Sequence, residues 1–212
     1  AKTVYGQKEI DAVVKCLNES TQMGNYSRKF ESKIADLFDK KSCLYVNSGS
    51  SALYIGIESF DFPVGSEVIT PALTFGTTVG CLTKNNLIPA FVDVEPLSYC
   101  IDPNQIEEMI TDKTVAILAP NLMGNICDWE KISNIAKQYN LVVIEDSADT
   151  LGGKLNNKSS GSYSDMSITS FYGSHIINCA GNGGALMLNN QKVIDKAKLL
   201  RSWGRSSSLF DE

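Results

Sequence analysis

The 212-residue chain lacks an excess of positive charge: 19 Lys and Arg stand against 24 Asp and Glu, for a net charge of −5. Nucleic acids attract basic proteins through their phosphates, so we do not expect DNA or RNA as a partner. The chain also lacks any apolar run near the roughly 18 to 20 residues that a membrane-spanning helix needs. Its first ten residues, AKTVYGQKEI, contain no signal-peptide core. These absences predict a cytoplasmic protein without a membrane partner.

Metal ligands are also sparse. Histidine occurs once, as His175, so any imidazole chemistry must use that residue. The six cysteines stand singly, without a CxxC pair or a histidine at ligand spacing, at positions 16, 43, 81, 100, 127 and 179. This pattern predicts reduced and mostly buried thiols, with neither a disulfide framework nor a metal site.

Three common functional motifs are missing. No Gly-Lys-Ser/Thr follows a glycine-rich loop, and no GxGxxG occurs, which argues against nucleotide-phosphate and dinucleotide sites of the usual kinds. No GxSxG occurs either, so a serine hydrolase is a weak alternative.

The hydrophobic residues, 43% of the chain, suffice for one well-cored domain. Apolar residues at helical spacing predict two amphipathic helices in residues 1–40, where they are Ile10, Val13, Val14, Leu17, Phe30, Ile34, Leu37 and Phe38. From residue 41 to residue 212, short apolar runs alternate with helical stretches, including a helix expected to begin near Pro103 with a capping box from Asp102 to Gln105. The runs TVAILAP and LVVIED are nearly continuous, as in central parallel strands. We therefore predict an α/β fold: three layers, with a mostly parallel sheet covered by helices on both faces.

Polar residues follow five of the predicted strands. Ligands of open α/β sheets bind beyond the carboxyl ends of the strands, so these loops should meet at one site. The loops are residues 47–51 (NSGSS), 71–75 (PALTF), 120–121 (PN), 145–149 (EDSAD) and 170–175 (SFYGSH).

Two of these loops have a specific chemical interpretation. Gly49, Ser50 and Ser51 begin a predicted helix, where free N–H groups and hydroxyls favour a phosphate; ordinary capping by serine is the alternative. Asp146 ends a central strand, where a buried carboxylate is costly unless it faces a cation such as a protonated ring nitrogen. The alternative is that Asp146 caps the next loop.

The segments SGSSAL, PALTF, EDSADTLG and SFYGSH, followed by GNGGAL, resemble the ordered motifs of the DegT/DnrJ/EryC1/StrS family of sugar-modifying enzymes. The resemblance spans nearly the whole chain and implies the large domain of a fold type I enzyme that uses pyridoxal 5′-phosphate or pyridoxamine 5′-phosphate. In that family, the hydroxyls that match Ser50 and Ser170 bind the cofactor phosphate. The aromatic residue that matches Phe75 stacks on the pyridine ring, and the aspartate that matches Asp146 pairs with the ring nitrogen. The expected cofactor-binding residues are Gly49, Ser50, Ser51, Phe75, Asn121, Asp146, Asp149, Ser170 and Tyr172.

His175 stands where family aminotransferases have the lysine that anchors the cofactor covalently. An imidazole forms no stable Schiff base but still moves protons near neutral pH. This substitution resembles the branch of 3-dehydratases that act on nucleotide-linked 4-keto-6-deoxyhexoses on the way to 3,6-dideoxysugars of cell-surface polysaccharides. His175 would then be the catalytic base that removes a proton from the C4′ carbon of the cofactor. The alternative is that a lone histidine beside Ser174 is an ordinary loop residue.

The dehydratase branch has a subtype with a 2Fe–2S cluster and a subtype without one. Asp149 and Tyr172 resemble the cluster-dependent subtype, but Ser207 stands where that subtype has a cysteine, and serine is a poor cluster ligand. The spacing between His175 and the Gly183–Gly184 pair also resembles the ordinary aminotransferases. We therefore expect no cluster, and we interpret Cys179 as a packing thiol.

Members of the family are roughly twice as long as this chain. We therefore expect residues 1–40 to form an N-terminal helical segment, residues 41–212 to form the cofactor-binding large domain, and the C-terminal small domain to be absent from this chain. Fold type I sites form between two subunits, which implies a homodimer. The implied partner is a nucleotide-diphosphate sugar, with the nucleotide and sugar unspecified. Two other interpretations remain: an aminotransferase that uses another lysine, and a noncatalytic cofactor- or sugar-binding fragment.

Overall fold

A computed structural model describes residues 4–20 and 22–210, which contain six α-helices and nine strands. The helices are α1 Gln7–Glu19, α2 Asn25–Leu37, α3 Gly49–Ser59, α4 Gly76–Lys84, α5 Trp129–Tyr139 and α6 Gln191–Arg201. The strands are β1 Ser42–Val46, β2 Glu67–Pro71, β3 Ile88–Val92, β4 Thr114–Pro120, β5 Val142–Asp146, β6 Lys154–Leu155, β7 Lys158–Ser159, β8 Met166–Ser170 and β9 Gly184–Leu188. In this described part, no helix is long and apolar enough to cross a membrane.

Seven strands form one sheet in the order β1-β9-β8-β5-β4-β2-β3, and β6 pairs with β7 in a separate hairpin. Strands β3, β2, β4, β5 and β8 run parallel to one another, whereas β9 runs antiparallel to both β8 and β1. The predicted mostly parallel sheet is therefore confirmed. The carboxyl ends of β1, β2, β3, β4, β5 and β8 lie at the same edge.

Helices cover both faces of the sheet because successive strand side chains point to opposite sides. In β4, Ala116 and Leu118 belong to a core shared with α3 and α6, whereas Ile117 and Ala119 belong to a core shared with α5. A third cluster packs α2 against β9 and Phe171. The three predicted layers are thus present.

The two helices predicted in residues 1–40 differ in burial. Helix α2 buries Ile34 and Ala35, and Phe38 follows it into the same core. Helix α1 has no buried residue, and its apolar side chains Val13 and Leu17 remain exposed.

The prediction of a helix that begins near Pro103 is wrong. Two short 3-10 turns, Pro103–Gln105 and Glu107–Met109, stand there instead. The backbone N–H of Asp102 is already donated to Asp93, so Gln105 bonds the Asp102 side chain and the capping box does not form. The carboxylate of Asp102 accepts from the N–H of Asn104, as expected of a cap.

Gly184 brings two site loops together, because in β9 it lies between Val46, the end of β1, and Ser170, the end of β8. A Cβ atom at Gly184 would lie 2.2 Å from the carbonyl carbon of Ser48 and 2.5 Å from the nitrogen of Gly49. These are backbone atoms, which cannot move aside as a flexible side chain would. Gly184 therefore permits β9 to approach the start of α3.

We expect Gly184→Ala to lower the free energy of unfolding by about 3 kcal/mol, at the upper end of the range for overpacking. Urea denaturation measures the change. Gly80→Ala is the matched control, because Gly80 lies inside α4 with no atom near its missing Cβ. This control should stabilise the protein by about 0.5 to 1 kcal/mol. Equal stability of the two variants would contradict the packing argument.

Candidate functional site

The five loops predicted to converge do meet at the carboxyl edge of the sheet, around a cavity of about 820 Å³. This volume lies in the upper part of the usual range for small-molecule sites, about 300 to 1,000 Å³. Nine of the ten predicted site residues line it: Gly49, Ser50, Phe75, Asn121, Asp146, Asp149, Ser170, Tyr172 and His175. Their roles remain predictions.

Ser51 does not line the cavity. Its N–H donates to the side chain of Ser48, the capping residue of α3, and its hydroxyl accepts from Ser48 at 3.0 Å. Ser51 therefore belongs to the cap, and the capping interpretation accounts for it.

One end of the cavity favours an anion. The first turns of α3 and α4 meet there, and the Ser50 hydroxyl donates to the Thr77 hydroxyl at 3.1 Å. A Cβ at Gly49 would lie 2.9 Å from the Cβ of Ser170, so the end of β8 lies directly against the start of α3. No lysine or arginine of residues 4–20 and 22–210 lines the cavity. An anion would therefore be bound by two positive helix ends and by hydroxyl groups.

Asp146 supplies buried negative charge to the cavity. Its carboxylate accepts from the Thr78 hydroxyl at 3.1 Å and from the Ala148 N–H at 3.1 Å. Burial nevertheless raises its pKa to about 6, because two hydrogen bonds do not replace the lost water. A cationic group in the cavity would restore the charged form, and a protonated pyridine nitrogen is such a group.

His175 lies beside Asp149 in the cavity wall. The imidazole Nδ1 is 3.5 Å from Asp149 Oδ1, which is long for a hydrogen bond but close for a charge interaction. The other oxygen, Asp149 Oδ2, accepts from the backbone N–H of Met123 at 3.0 Å. A carboxylate held beside Nδ1 favours a proton on that nitrogen and leaves Nε2 available as a base.

Two predicted aromatic residues are open to a ligand. Phe75 is 70% exposed and Tyr172 is 55% exposed, although both line the cavity. The Tyr172 ring is also edge-on to His175, with ring centroids 6.2 Å apart. Exposed aromatic faces at a cavity are available for stacking on a planar ligand.

Asn121 also lines the cavity, but its side chain is fully bonded within the protein. The amide nitrogen donates to Glu145 and Ser147, and the amide oxygen accepts from the Cys127 N–H and the Trp129 indole. An amide has two donor hydrogens and one acceptor oxygen, so its capacity is used. Asn121 in this arrangement shapes the wall rather than offering a polar group.

Sequence reasoning missed several lining residues. Thr77, which lines the cavity, and Thr78, which donates to Asp146, stand in the first turn of α4, and their hydroxyl side chains just after PALTF were a usable signal. Thr74 also lines the cavity, and its hydroxyl is buried without a hydrogen-bond partner within the described ranges. Tyr99, in the loop after β3, and Met123, in the loop after β4, also line the cavity and carried no sequence signal.

Ser207 lies in a 3-10 turn, Ser206–Leu209, and does not line the cavity. Over the part of the chain that the structure describes, no three His, Cys, Asp or Glu side chains are grouped as a metal site. Cys179 is partly buried against the core of α2 and β9.

A sequence model of the DegT/DnrJ/EryC1/StrS aminotransferase family matches residues 4–211. The chain is 37% identical over 200 residues to a dTDP-3-amino-3,6-dideoxy-alpha-D-galactopyranose transaminase of Aneurinibacillus thermoaerophilus, covering 93% of this chain and 55% of that protein. It is 35% identical over 190 residues to a dTDP-4-dehydro-2,6-dideoxy-D-glucose 3-dehydratase of Saccharopolyspora spinosa, covering 86% of this chain and 41% of that protein.

A solved structure of GDP-4-keto-6-deoxymannose-3-dehydratase, with a trapped PLP-glutamate geminal diamine, matches with a TM-score of 0.93 at 28% identity. The match covers 99% of this chain and 56% of that chain. The predicted fold is thereby confirmed. The chain spans about half the length of the curated relatives it matches.

We expect Asp146→Asn to stabilise the cofactor-free protein at pH 8. A raised carboxyl pKa means that the folded state holds the proton more tightly, so the Asp146 contribution to stability is present below about pH 4 and is lost as pH rises through about 6. The shift corresponds to about 3 kcal/mol, and the altered contact with Thr78, whose hydroxyl must accept from the new amide instead of donating, removes about 1 kcal/mol of the gain. The net gain at pH 8 should be about 2 kcal/mol.

Urea denaturation between pH 4 and pH 8 measures this difference. The control is Asp112→Asn, the same chemical change at an exposed turn. A difference between wild type and Asp146→Asn that does not change with pH would contradict the argument.

Proposed function

Because the chain belongs to the DegT/DnrJ/EryC1/StrS aminotransferase family, we propose that it is the cofactor-binding part of a 3-dehydratase. The substrate class is a nucleotide-linked 4-keto-6-deoxyhexose, used in the synthesis of 3,6-dideoxysugars for cell-surface polysaccharides. The observation that carries the proposal is His175: it lines the cavity beside Asp149, and no lysine among the described residues lines that cavity. Pyridoxal or pyridoxamine phosphate is the cofactor, and solved relatives hold these molecules.

The residues of the cavity fit this cofactor. Ser50, Thr77 and Ser170 lie where the helix ends favour its phosphate. Asp146 is buried in a cavity that no lysine or arginine of the described ranges lines, which suits the protonated ring nitrogen, and Phe75 offers an exposed ring for stacking. When bound, pyridoxamine phosphate supplies an amine for the ketone of the sugar and a ring that accepts electrons.

His175 acts as the general base in this proposal. Asp149 is a positioning residue, because it interacts with Nδ1 and is itself fixed by the N–H of Met123. The imidazole Nε2 then removes a proton at the cofactor carbon C4′ and returns one to the departing 3-hydroxyl. General acid and base groups contribute about 10² to 10⁴ in rate.

Without a lysine in the cavity, noncovalent contacts hold the cofactor. The nearest lysines that precede His175 in the sequence, Lys154 and Lys158, are exposed in the β6–β7 hairpin and do not line the cavity. An amino-sugar product forms only if the amine stays with the sugar. We expect the competing outcome to be favoured, in which the unsaturated sugar is released and the released sugar is hydrolysed.

A sugar aminotransferase is the second candidate. The 37% identity to a transaminase supports it. A lysine outside the cavity described above would then have to form the Schiff base with the cofactor. A noncatalytic cofactor- or sugar-binding domain is the third candidate. Retention of Ser50, Asp146 and Ser170 around one cavity argues against loss of cofactor binding.

The proposed protein is a homodimer that uses no 2Fe–2S cluster. The exposed apolar side chains of α1, Ile10, Val13, Val14 and Leu17, support a contact with further protein surface. Ser207 in place of a cysteine supports the absence of a cluster.

We expect His175→Asn to reduce loss of the C3 oxygen by about 10² to 10⁴ in rate, because asparagine cannot accept the proton. Binding of pyridoxamine phosphate, followed by its absorbance, should change by less than about threefold, since the phosphate and ring contacts remain. Mass spectrometry of the sugar product measures the reaction with a nucleotide-linked 4-keto-6-deoxyhexose.

His175→Lys tests the same position independently. A lysine there should form a borohydride-reducible adduct with pyridoxal phosphate, which wild type should not form. Amino-sugar production by wild type would favour the aminotransferase, and absence of any turnover with intact cofactor binding would favour the noncatalytic domain. Full activity in His175→Asn would overturn the assignment of the base.

A further inference from the structure

Tyr99 belongs to a loop after β3 that sequence reasoning did not connect with the cavity. A bridge between Val94 and Ile101 closes the loop, and the Glu95 N–H donates to the Cys100 carbonyl at 2.9 Å. Cys100 and Ile101, which follow Tyr99, are buried in the core of α5. The position of Tyr99 is therefore fixed from its carboxyl side.

A second contact ties this loop to the loop after β4. The Asn125 side chain donates to the Ser98 carbonyl at 2.8 Å, and the Ser98 hydroxyl donates to the Glu95 carboxylate at 2.9 Å. Tyr99 therefore stands between two anchored neighbours, Ser98 and Cys100.

Tyr99 is held in an unfavourable backbone conformation. Its φ is 57°, in the left-handed region that large side chains rarely adopt. Met123, in the loop after β4, has a similar φ of 56°. Both side chains line the cavity, yet Tyr99 is 45% exposed and Met123 is 74% exposed. Neither side chain is buried enough to explain the strain by packing, and Tyr99 and Met123 are the two non-glycine residues of positive φ that line the cavity among the described residues.

The sheet order places Tyr99 on the side of the cavity away from the reacting groups. Strand β3 lies three strands from β5, which carries Asp146, and therefore about 14 Å from it at about 4.8 Å per strand. The walls between them are apolar, with Leu73, Leu122 and Met123 lining the cavity. In a nucleotide-linked sugar, a ribose and two phosphates separate the base from the sugar, so its planar base lies at the far end from the reacting carbon.

We propose that Tyr99 is the stacking surface for the nucleobase of the substrate, a residue that binds the nucleoside end and takes no part in the proton transfers. The inference rests on the proposed function for the class of substrate. The aromatic ring supplies the contact, and the left-handed backbone at Tyr99 presents the ring to the cavity instead of to the core.

The main test is Tyr99→Asn, because asparagine accepts the left-handed backbone and lacks the ring. Affinities for GDP and for dTDP, a purine and a pyrimidine probe, are measured by titration calorimetry on protein saturated with pyridoxamine phosphate. Base stacking on an aromatic side chain contributes enough that the Kd of the better probe should rise roughly fivefold to a hundredfold. The thermal midpoint should stay the same or rise, since the backbone strain is relieved.

Two further variants isolate the ring. Tyr99→Phe keeps the stacking face, so its Kd should stay within about twofold of wild type. Leu97→Ala changes a side chain of the same loop that is 95% exposed and does not line the cavity, so it should leave the Kd unchanged. With the sugar substrate, Tyr99→Asn should raise KM and leave kcat within about twofold.

The inference is overturned if Tyr99→Asn binds both probes as wild type does, if wild type binds neither, or if Leu97→Ala weakens binding equally. A fall in kcat at unchanged KM would also overturn it, because the ring would then contact the reacting sugar. A failure of the proposed function is recognised separately. Amino-sugar formation by a wild type whose nucleotide binding depends on Tyr99 would reject the dehydratase and leave this inference standing.

Discussion

The Asp146 carboxylate is buried at the end of a central strand, with no lysine or arginine of the described residues lining its cavity, and the rest of the site is arranged around that constraint. Water cannot stabilise its charge, so Thr78 and the N–H of Ala148 take over part of that role. These two donors fix where α4 begins and how the loop after β5 turns. Two hydrogen bonds offset only part of the free-energy cost of burying this charge. A ligand with a protonated nitrogen gains affinity there because it offsets the rest. A cavity with this property selects its occupant by charge as well as by shape.

Glu145, the neighbour of Asp146 in β5, is fully buried on the opposite side of the strand and is satisfied entirely by protein. Its carboxylate accepts hydrogen bonds from three buried side chains, Asn121, Ser147 and Ser167. The hydrogen bonds continue from Ser167 to Ser164, whose hydroxyl accepts from the amino group of Lys40. Burial lowers the pKa of Lys40 to about 8, and the negative charge of Glu145 opposes that change. Two adjacent carboxylates thus have different surroundings: Glu145 has its hydrogen bonds satisfied within the protein, and Asp146 faces the cavity. The satisfied network holds the loops after β4 and β5 in place and so supports the cavity wall.

The cavity has two chemically different sides, and the order of the strands explains the division. The ends of β1, β5 and β8 and the loops after them bring hydroxyls, two carboxylates and an imidazole together on one side. The loops after β3 and β4 bring apolar and aromatic side chains to the other side, where only shape and stacking are available. A substrate with a reactive sugar at one end and a planar base at the other matches this division.

The sequence by itself determined the layers, the parallel central strands and most of the site, since short apolar runs, helix starts and polar strand ends are local signals. His175 could be singled out because it is the only histidine and stands in a recognisable motif. Local patterns failed at residues 103–109, where the Asp102 N–H donates to Asp93 and two 3-10 turns stand in place of the expected helix. At Ser51 they left a phosphate site and ordinary capping open, and the structure shows Ser51 in contact with the Ser48 cap. Only the tertiary structure decided that Asn121 is saturated by Glu145 and Trp129, that Asp149 faces His175, and that Tyr99 joins the cavity. Each of these depends on which distant loops the sheet order brings within hydrogen-bond or contact distance, and a linear pattern of residue types does not encode that distance.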